Sequence, residues 1–240
     1  PEDARDHDDA LTVGRAGEGR WEVGIHIADV SHYVPQGSAL DHEAELRGTS
    51  VYLPGGVVPM LPERLSADLC SLRPDCDRLV LSVLVVLDGH GGLHGVRCEE
   101  AVIRSRHRLH YGEVQEALEG RASLPAQLQE AIEAVMTLAR ALRARRRKVG
   151  ALDLEVPEVK VWVDEQGRPL RIERRAHLES HELIEEFMLL ANRCVGGEGA
   201  RRSSGLLYRV HDAPAALKLA HLERMLRALG LPSPGALSDP

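Results

Sequence analysis

The feature that most constrains this chain is a nine-residue run of valine and leucine, Leu79–Leu87, which only Ser82 interrupts. The run is far shorter than the roughly 20 apolar residues of a membrane-spanning helix, and it is typical of a β-strand buried on both faces. Turn-forming residues follow at once in Asp88–Gly92, so a partner strand through about Arg106 is expected to complete a hairpin. At 240 residues, the chain can bury a substantial core as one large domain or two small ones.

The rest of the first half is also predicted to be rich in β-structure. Trp21–Val30 alternates between apolar and polar residues, as a further strand would. Ser50–Arg73 contains two glycines and three prolines, so an ordered loop or a set of short turns is expected there.

The second half is predicted to be more helical. Apolar residues recur at helical spacing from Pro125 to about Lys148. Ser180 is expected to cap another helix that ends at Gly196-Gly197, with a buried face of Ile184, Phe187, Met188, Ala191 and Val195. The other predicted elements are a hairpin, a short strand and a last helix: Val159–Val163 with Leu170–Glu173, Leu206–Val210, and Ala215–Leu229.

Charge and composition narrow the classes of function. Lys and Arg number 30 against 37 Asp and Glu, a net charge of −7, which argues against a protein that holds nucleic acid by bulk electrostatics. A nuclease remains possible, because an acidic metal-binding cluster lowers the total locally. Aromatic residues make up 3% of the chain, so a base-stacking platform of many rings is not expected.

The cysteines and the hydropathy pattern bear on location. The four cysteines form no CxxC pair and no zinc-type spacing, so free thiols in a reducing cytosol are expected. No basic-then-apolar leader opens the sequence, and no apolar run is long enough for a membrane helix. The protein is therefore expected to be cytoplasmic, with no membrane partner.

A cluster of carboxylates gives the strongest chemical signal. Asp6, Asp8 and Asp9 place three carboxylates within four residues, where they repel one another unless they share cations. Hard oxygen ligands of this kind suit Mg²⁺ or Mn²⁺. An acidic run taken alone is more often a solvated tail. The apolar segment Ala10–Val13 directly after it indicates instead that the cluster leads into a folded region.

Several blocks resemble, in the same order, the ribonuclease II/ribonuclease R (RNB) family of 3′→5′ exoribonucleases, and are more similar to its ribonuclease R branch. They cover nearly the whole chain: Pro1–Ala10, Gly24–Val34, Arg47–Pro54, Pro59–Ser66, Leu69–Leu72, Gly150–Leu154, Glu182–Met188 and Tyr208–His211. The resemblance implies an α+β catalytic core, in which a mixed β-sheet or barrel-like first half packs with helices from the second half.

The resemblance also implies a metal site. Family members carry four aspartates that hold two Mg²⁺ ions at the scissile phosphate. Asp6, Asp8 and Asp9 match three of them, as catalytic residues and metal ligands, with Mn²⁺ as a possible substitute. The fourth aspartate belongs one position ahead of Pro1.

Three further positions match family residues that hold the 3′ end of single-stranded RNA. Tyr52 matches a tyrosine that stacks on a base, with a half-buried packing role as the alternative. Tyr111 and Glu185 match a pair at the terminal ribose, where a phenol and a carboxylate can bond the 2′-hydroxyl that separates RNA from DNA. For Glu185, a place on the polar face of a helix is the alternative. At Leu154 some members carry an aromatic ring, and leucine cannot stack as a ring does.

The function implied is processive 3′→5′ hydrolysis of single-stranded RNA to nucleoside 5′-monophosphates, with DNA not expected as a productive substrate. Residues 1–240 would be a partial RNB domain without the first aspartate, the C-terminal part of the core and the flanking OB-fold domains, and inactive or nearly so alone. One alternative is a non-catalytic RNB-like module that binds RNA or protein, although such a relative would be expected to lose the clustered aspartates first. The other is a two-metal DNase, which has no use for a 2′-hydroxyl contact. The sequence predicts no particular protein partner.

Overall fold

The computed structural model describes residues 6–152, 158–164, 166–203 and 205–231. Its strands are β1 (Asp9–Gly17), β2 (Arg20–Ala28), β3 (Val51–Leu53), β4 (Gly56–Val58), β5 (Asp77–Leu87), β6 (Leu93–Arg104), β7 (Glu158–Val163) and β8 (Pro169–Arg175). Its helices are α1 (Val30–Tyr33), α2 (Ala39–Arg47), α3 (Tyr111–Leu118), α4 (Ala126–Lys148), α5 (Glu179–Arg202) and α6 (Ala216–Ala228), with a turn of π-helix at Leu65–Leu69.

The chain divides into two compact units, Pro1–Glu198 and Gly199–Pro240. The first unit is built on an antiparallel sheet in the order β1-β2-β5-β6, and β3-β4 and β7-β8 form separate two-stranded ribbons. Strands and helices together confirm the expected α+β class. The barrel-like first half is wrong, because the described strands form an open sheet and two ribbons.

One face of the sheet is covered by α4 and α5. Val23 and Ile25 of β2 and Val83, Val85 and Leu87 of β5 are buried against the two helices. The helices contribute a matching apolar set: Val135, Met136, Leu138 and Ala139 from α4, and Leu183, Phe187, Leu190, Ala191 and Cys194 from α5. Burying these side chains is the main driving force for forming the layer, at about 25 cal/mol per Å² of apolar surface.

The valine- and leucine-rich run forms β5 and pairs with β6 as predicted. The predicted burial of β5 on both faces is confirmed only in part. On the face away from α4 and α5, Val80 and Ser82 are buried but Leu84 and Val86 are only half-buried. On the face toward the two helices, Val83, Val85 and Leu87 are buried, whereas Leu81 near the start of the strand is 46% exposed. The apolar run therefore overstates how much of the second face is covered by the described residues.

Helix α5 differs from its prediction at both ends. It begins at Glu179, and Ser180 lies inside it, where its Oγ donates a hydrogen bond to the carbonyl oxygen of Tyr111 (2.8 Å). It also runs through Gly196-Gly197 to Arg202, because neither glycine adopts the positive φ of a helix-ending residue. Ile184, Met188 and the exposed Val195 lie beside the buried stripe formed by Leu183, Phe187, Leu190, Ala191 and Cys194.

In the second unit, α6 matches the predicted last helix, but the predicted strand Leu206–Val210 is wrong. These residues form no regular element, because none of the described residues pairs with them as a strand. They pass close to the end of α5 instead. A Cβ at Gly199 would clash with the Leu206 side chain and lie 2.9 Å from the Tyr208 hydroxyl, so a glycine is needed there.

None of the helices formed by the described residues has both the length and the apolarity to cross a membrane. All four cysteines are free thiols: Cys70 and Cys194 are buried, Cys76 is half-buried and Cys98 is exposed.

Candidate active site

The acidic segment is held in place by backbone hydrogen bonds on both sides. The Ala28 amide at the end of β2 donates to the carbonyl oxygen of Asp8 (2.9 Å). On the other side, the Leu72 amide donates to the carbonyl oxygen of His7 (2.6 Å), and the His7 amide donates to the Ser71 Oγ (3.1 Å). The segment is thus a fixed lead-in to β1 and not a solvated tail.

A polar chain crosses the sheet next to this segment. Buried His26 of β2 bonds Thr12 of β1 through Nε2 (2.9 Å) and Ser82 of β5 through Nδ1 (2.8 Å). Gly24 leaves space for it, since a Cβ there would meet the Thr12 hydroxyl and the His26 ring. This chain ties β1, which begins at Asp9, to the two central strands.

The three aspartates line one cavity of about 470 Å³. The Asp6 and Asp8 side chains are exposed, whereas Asp9 is half-buried. Burial, and next the negative charge of Asp8, raise the pKa of the Asp9 carboxyl above its usual range. The structure therefore brings at least Asp8 and Asp9 within electrostatic reach of each other.

Tyr111, the first residue of α3, lines the same cavity. Burial raises the pKa of its phenol, and the negative charges of Asp9, Glu185 and Asp8 raise it further against the opposing charge of Arg175. Glu185 is exposed on α5, with its Oε1 3.7 Å from the Nε2 of His177. The phenol predicted to contact the ribose therefore lies within the field of Glu185 and of two of the three aspartates.

Tyr52 lies apart from that cavity, on the β3-β4 ribbon, with 69% of its surface exposed. The half-buried packing role is therefore wrong for the described structure. At the tip of the ribbon, Gly55 has a positive φ of 82°, and a Cβ there would lie 2.8 Å from a methyl group of Val163 in β7. The ribbon thus lies against β7 and leaves the Tyr52 ring accessible.

The donor set at the acidic segment fits Mg²⁺ in its chemistry. The three side chains offer only carboxylate oxygens, and Mg²⁺ commonly binds one or two carboxylates and completes its coordination with water and substrate phosphate. Among the described residues, no group of three or more His, Cys, Asp or Glu side chains is close enough to enclose a metal ion by itself.

Sequence reasoning missed two residues that shape this site. Ser71, which is fully buried, accepts the hydrogen bond that fixes His7 from 64 positions away. His181 stacks on the Tyr111 ring, with the ring centroids 4.0 Å apart and the planes at 20°. The resembling blocks Leu69–Leu72 and Glu182–Met188 contain Ser71 or lie beside His181, but the contacts themselves depend on the folded chain.

Arginines in the second half of α4 form ion pairs with glutamates of α5. Arg140, Arg143 and Arg146 pair with Glu179, Glu182 and Glu186 of α5. This row of three ion pairs, the α4–α5 ion-pair row, fixes the helix that carries His181 and Glu185. Arg143 and Arg146 both face α5.

Known proteins are similar to this chain in both fold and sequence. Residues 1–237 match the RNB domain. The chain therefore belongs to the RNB family.

Within that family it is similar to ribonuclease R. Ribonuclease R of Thermotoga maritima is 43% identical over 233 residues, which cover 96% of this chain and 33% of the relative. Mycoplasma genitalium RNase R, solved in complex with ribose-methylated single-stranded RNA, superposes with a TM-score of 0.92 at 34% identity, covering 98% of this chain and 37% of that one. The chain thus spans about a third of the length of these relatives.

The fold alone does not decide activity. Yeast Ssd1, described as a pseudonuclease, shares the fold with a TM-score of 0.72 at 24% identity, over 93% of this chain and 27% of its own. The assignment of chemistry must therefore rest on the site residues.

Proposed function

We propose that this chain forms part of the catalytic core of a ribonuclease R-like enzyme that hydrolyses single-stranded RNA processively from its 3′ end to nucleoside 5′-monophosphates. The observation that carries the proposal is the anchored acidic segment. Three aspartates fixed by backbone hydrogen bonds line the same cavity as Tyr111. The fixed backbone holds these like charges beside one another, which is costly unless cations occupy the site.

Asp6, Asp8 and Asp9 are the proposed ligands of Mg²⁺, with Mn²⁺ as a substitute. When bound, the metal would supply positive charge at the phosphate and lower the pKa of a bound water. The residues themselves position the site, since the bonds from Ala28 and Leu72 fix the main chain at Asp8 and His7, from which the carboxylates line the cavity.

The 3′ end of the RNA is the proposed partner of three side chains. Tyr111 and Glu185 are proposed to bond the terminal ribose, where a 2′-hydroxyl can both donate and accept a hydrogen bond. The exposed ring of Tyr52 is proposed to stack on a base, an interaction worth roughly 1–3 kcal/mol per base. DNA lacks the 2′-hydroxyl and is not proposed as a productive substrate.

The test is a 3′-exonuclease assay on 5′-labelled single-stranded RNA and on DNA of the same sequence, with Mg²⁺ and with excess EDTA. We expect stepwise shortening of RNA alone, abolished by EDTA, with nucleoside 5′-monophosphates as products. An unlabelled competitor added after the start tests processivity. RNA binding without hydrolysis would support the non-catalytic module, and equal cleavage of DNA would support the two-metal DNase.

Because the chain spans about a third of the length of its relatives, the assay compares it with the full-length gene product. We expect turnover from the full-length protein and little from residues 1–240 alone. Robust EDTA-sensitive release of mononucleotides by the 240-residue chain would overturn that expectation. We also propose a cytoplasmic location, supported by the four free thiols and testable by cell fractionation.

A further inference from the structure

The main chain of Tyr111 is fixed where α3 meets the start of α5. Its carbonyl oxygen accepts a hydrogen bond from the Ser180 Oγ (2.8 Å), and the Ser180 amide donates to the Oε1 of Gln115 (3.2 Å). These bonds hold the backbone at residue 111 but leave the direction of the phenol undecided, because a tyrosine ring turns about two side-chain torsions.

Three nearly parallel rings decide that direction. The Tyr111 ring stacks on His181, with centroids 4.0 Å apart at 20°, and His181 stacks on His177, with centroids 5.5 Å apart at 24°. The His181 ring is fixed in turn, because its Nδ1 accepts a hydrogen bond from the Leu178 amide (3.1 Å). We call Tyr111, His181 and His177 the ring column.

The ring column ends beside Glu185. The His177 Nε2 lies 3.7 Å from the Glu185 Oε1, so the phenol and the carboxylate stand at opposite ends of one set of contacts. Arg175 approaches the middle ring, with its Nη2 3.5 Å from the His181 Nε2. Two residues 74 positions apart in the sequence, Tyr111 and Glu185, are thereby held in a defined relation through His181.

We infer that His181 is a positioning residue, whose ring holds the Tyr111 phenol in register with Glu185 and so sets how strongly the site distinguishes a terminal ribose from a 2′-deoxyribose. The inference rests on the proposed function in one respect, the assignment of Tyr111 to the ribose. A contact with a 2′-hydroxyl depends on direction, so a phenol that is free to turn loses selectivity even when it remains near the cavity.

The experiment measures one ratio in the full-length gene product: kcat/KM for an RNA with a normal 3′-terminal nucleotide over kcat/KM for the same RNA with a single 2′-deoxy group there. Tyr111→Phe, which removes the hydroxyl, should lower the ratio by roughly three- to tenfold. His181→Leu fills the space without a ring and should lower it by a similar factor, whereas His181→Phe keeps a stacking ring and should restore it. His42→Leu on the exposed side of α2 is the matched control and should leave the ratio unchanged.

The possible failures are distinguishable. An unchanged ratio in Tyr111→Phe would refute the ribose assignment, and with it the proposed function of this residue. A lowered ratio in Tyr111→Phe together with a normal ratio in His181→Leu would overturn the positioning role alone. If His181→Leu does not fold, His181→Gln replaces it, because glutamine can still accept the Leu178 bond but has no ring. If His181→Gln and His181→Phe lowered the ratio equally, ring stacking would not be what positions the Tyr111 phenol.

Discussion

Glu186 is 5% exposed, and the Arg146 guanidinium is its partner, with Nη2 2.5 Å and Nε 3.1 Å from the Oε1 of the glutamate. This is the most buried of the three pairs in the α4–α5 ion-pair row. A carboxylate removed from water in this way needs its cation to compensate its charge. In the exposed pair Arg140–Glu179, water can solvate either side chain when the other is removed.

Arg146→Met should therefore destabilise the protein much more than Arg140→Met. Removing one partner of a buried pair costs about 3–5 kcal/mol, because the remaining charge is left without compensation. Loss of an exposed pair costs about 0–1 kcal/mol. Urea unfolding of the two variants measures both values, and the double variant Arg146→Met/Glu186→Leu should recover most of the loss. Equal costs for the two single variants would show that Glu186 does not require Arg146.

Asp9→Asn should abolish hydrolysis in the full-length gene product while RNA binding survives. The amide keeps the shape of the side chain but loses the charge that is proposed to hold Mg²⁺, and a loss of several kcal/mol corresponds to at least about a hundredfold in rate. Single-turnover assays and filter binding measure the two properties. Asp41→Asn on α2, which is not among the residues that line the cavity, is the control and should hydrolyse normally. Retention of a tenth of wild-type turnover by Asp9→Asn would contradict the assignment.

The sequence predicted correctly those helices and strands that a short stretch of residues encodes by itself. The β5-β6 hairpin follows from an apolar run and a turn, and α4 follows from its periodicity. The predicted strand at Leu206–Val210 failed because a strand also needs a neighbour to pair with, which its own residues do not specify. Strand β1 was not predicted as a strand, since Gly14 and Gly17 weaken its pattern.

The site shows the same division. The resemblance to the family assigns expected roles to the aspartates, Tyr52, Tyr111 and Glu185, and these roles stay predictions. The contacts that hold them were not visible, because Ser71 reaches His7 across 64 positions and the Tyr111 ring meets His181 across 70. Contacts of this range form only when distant segments pack together in the folded chain, and no short stretch of sequence encodes them.

Tyr52→Ala should lengthen the final undegraded oligonucleotide more than it slows the initial rate on long RNA. The exposed ring can supply one stacking contact, and one contact matters most when the substrate is too short to make many others. Denaturing gels of the end products measure the length. Tyr52→Phe should keep the wild-type end product, and Leu53→Ala on the same ribbon is the control for damage to the hairpin. An unchanged end product in Tyr52→Ala would exclude a stacking role.

His26 should make the protein less stable as the pH falls below about 6.5. Burial holds the pKa of its imidazole below the usual value. The unfolded chain therefore takes up this proton near pH 6.5, whereas the folded chain takes it up only at a lower pH, and between the two values acidification favours unfolding by up to about 1.4 kcal/mol per pH unit. Urea unfolding from pH 7.5 to 5.0 should show this slope in the wild type and a shallower one in His26→Gln, whose amide can still bond Thr12 and Ser82. His7 and His181 titrate in both proteins, so the difference between the two slopes isolates His26. Exposed His42→Gln should follow the wild type, and parallel slopes for the wild type and His26→Gln would show that His26 is not a buried neutral group.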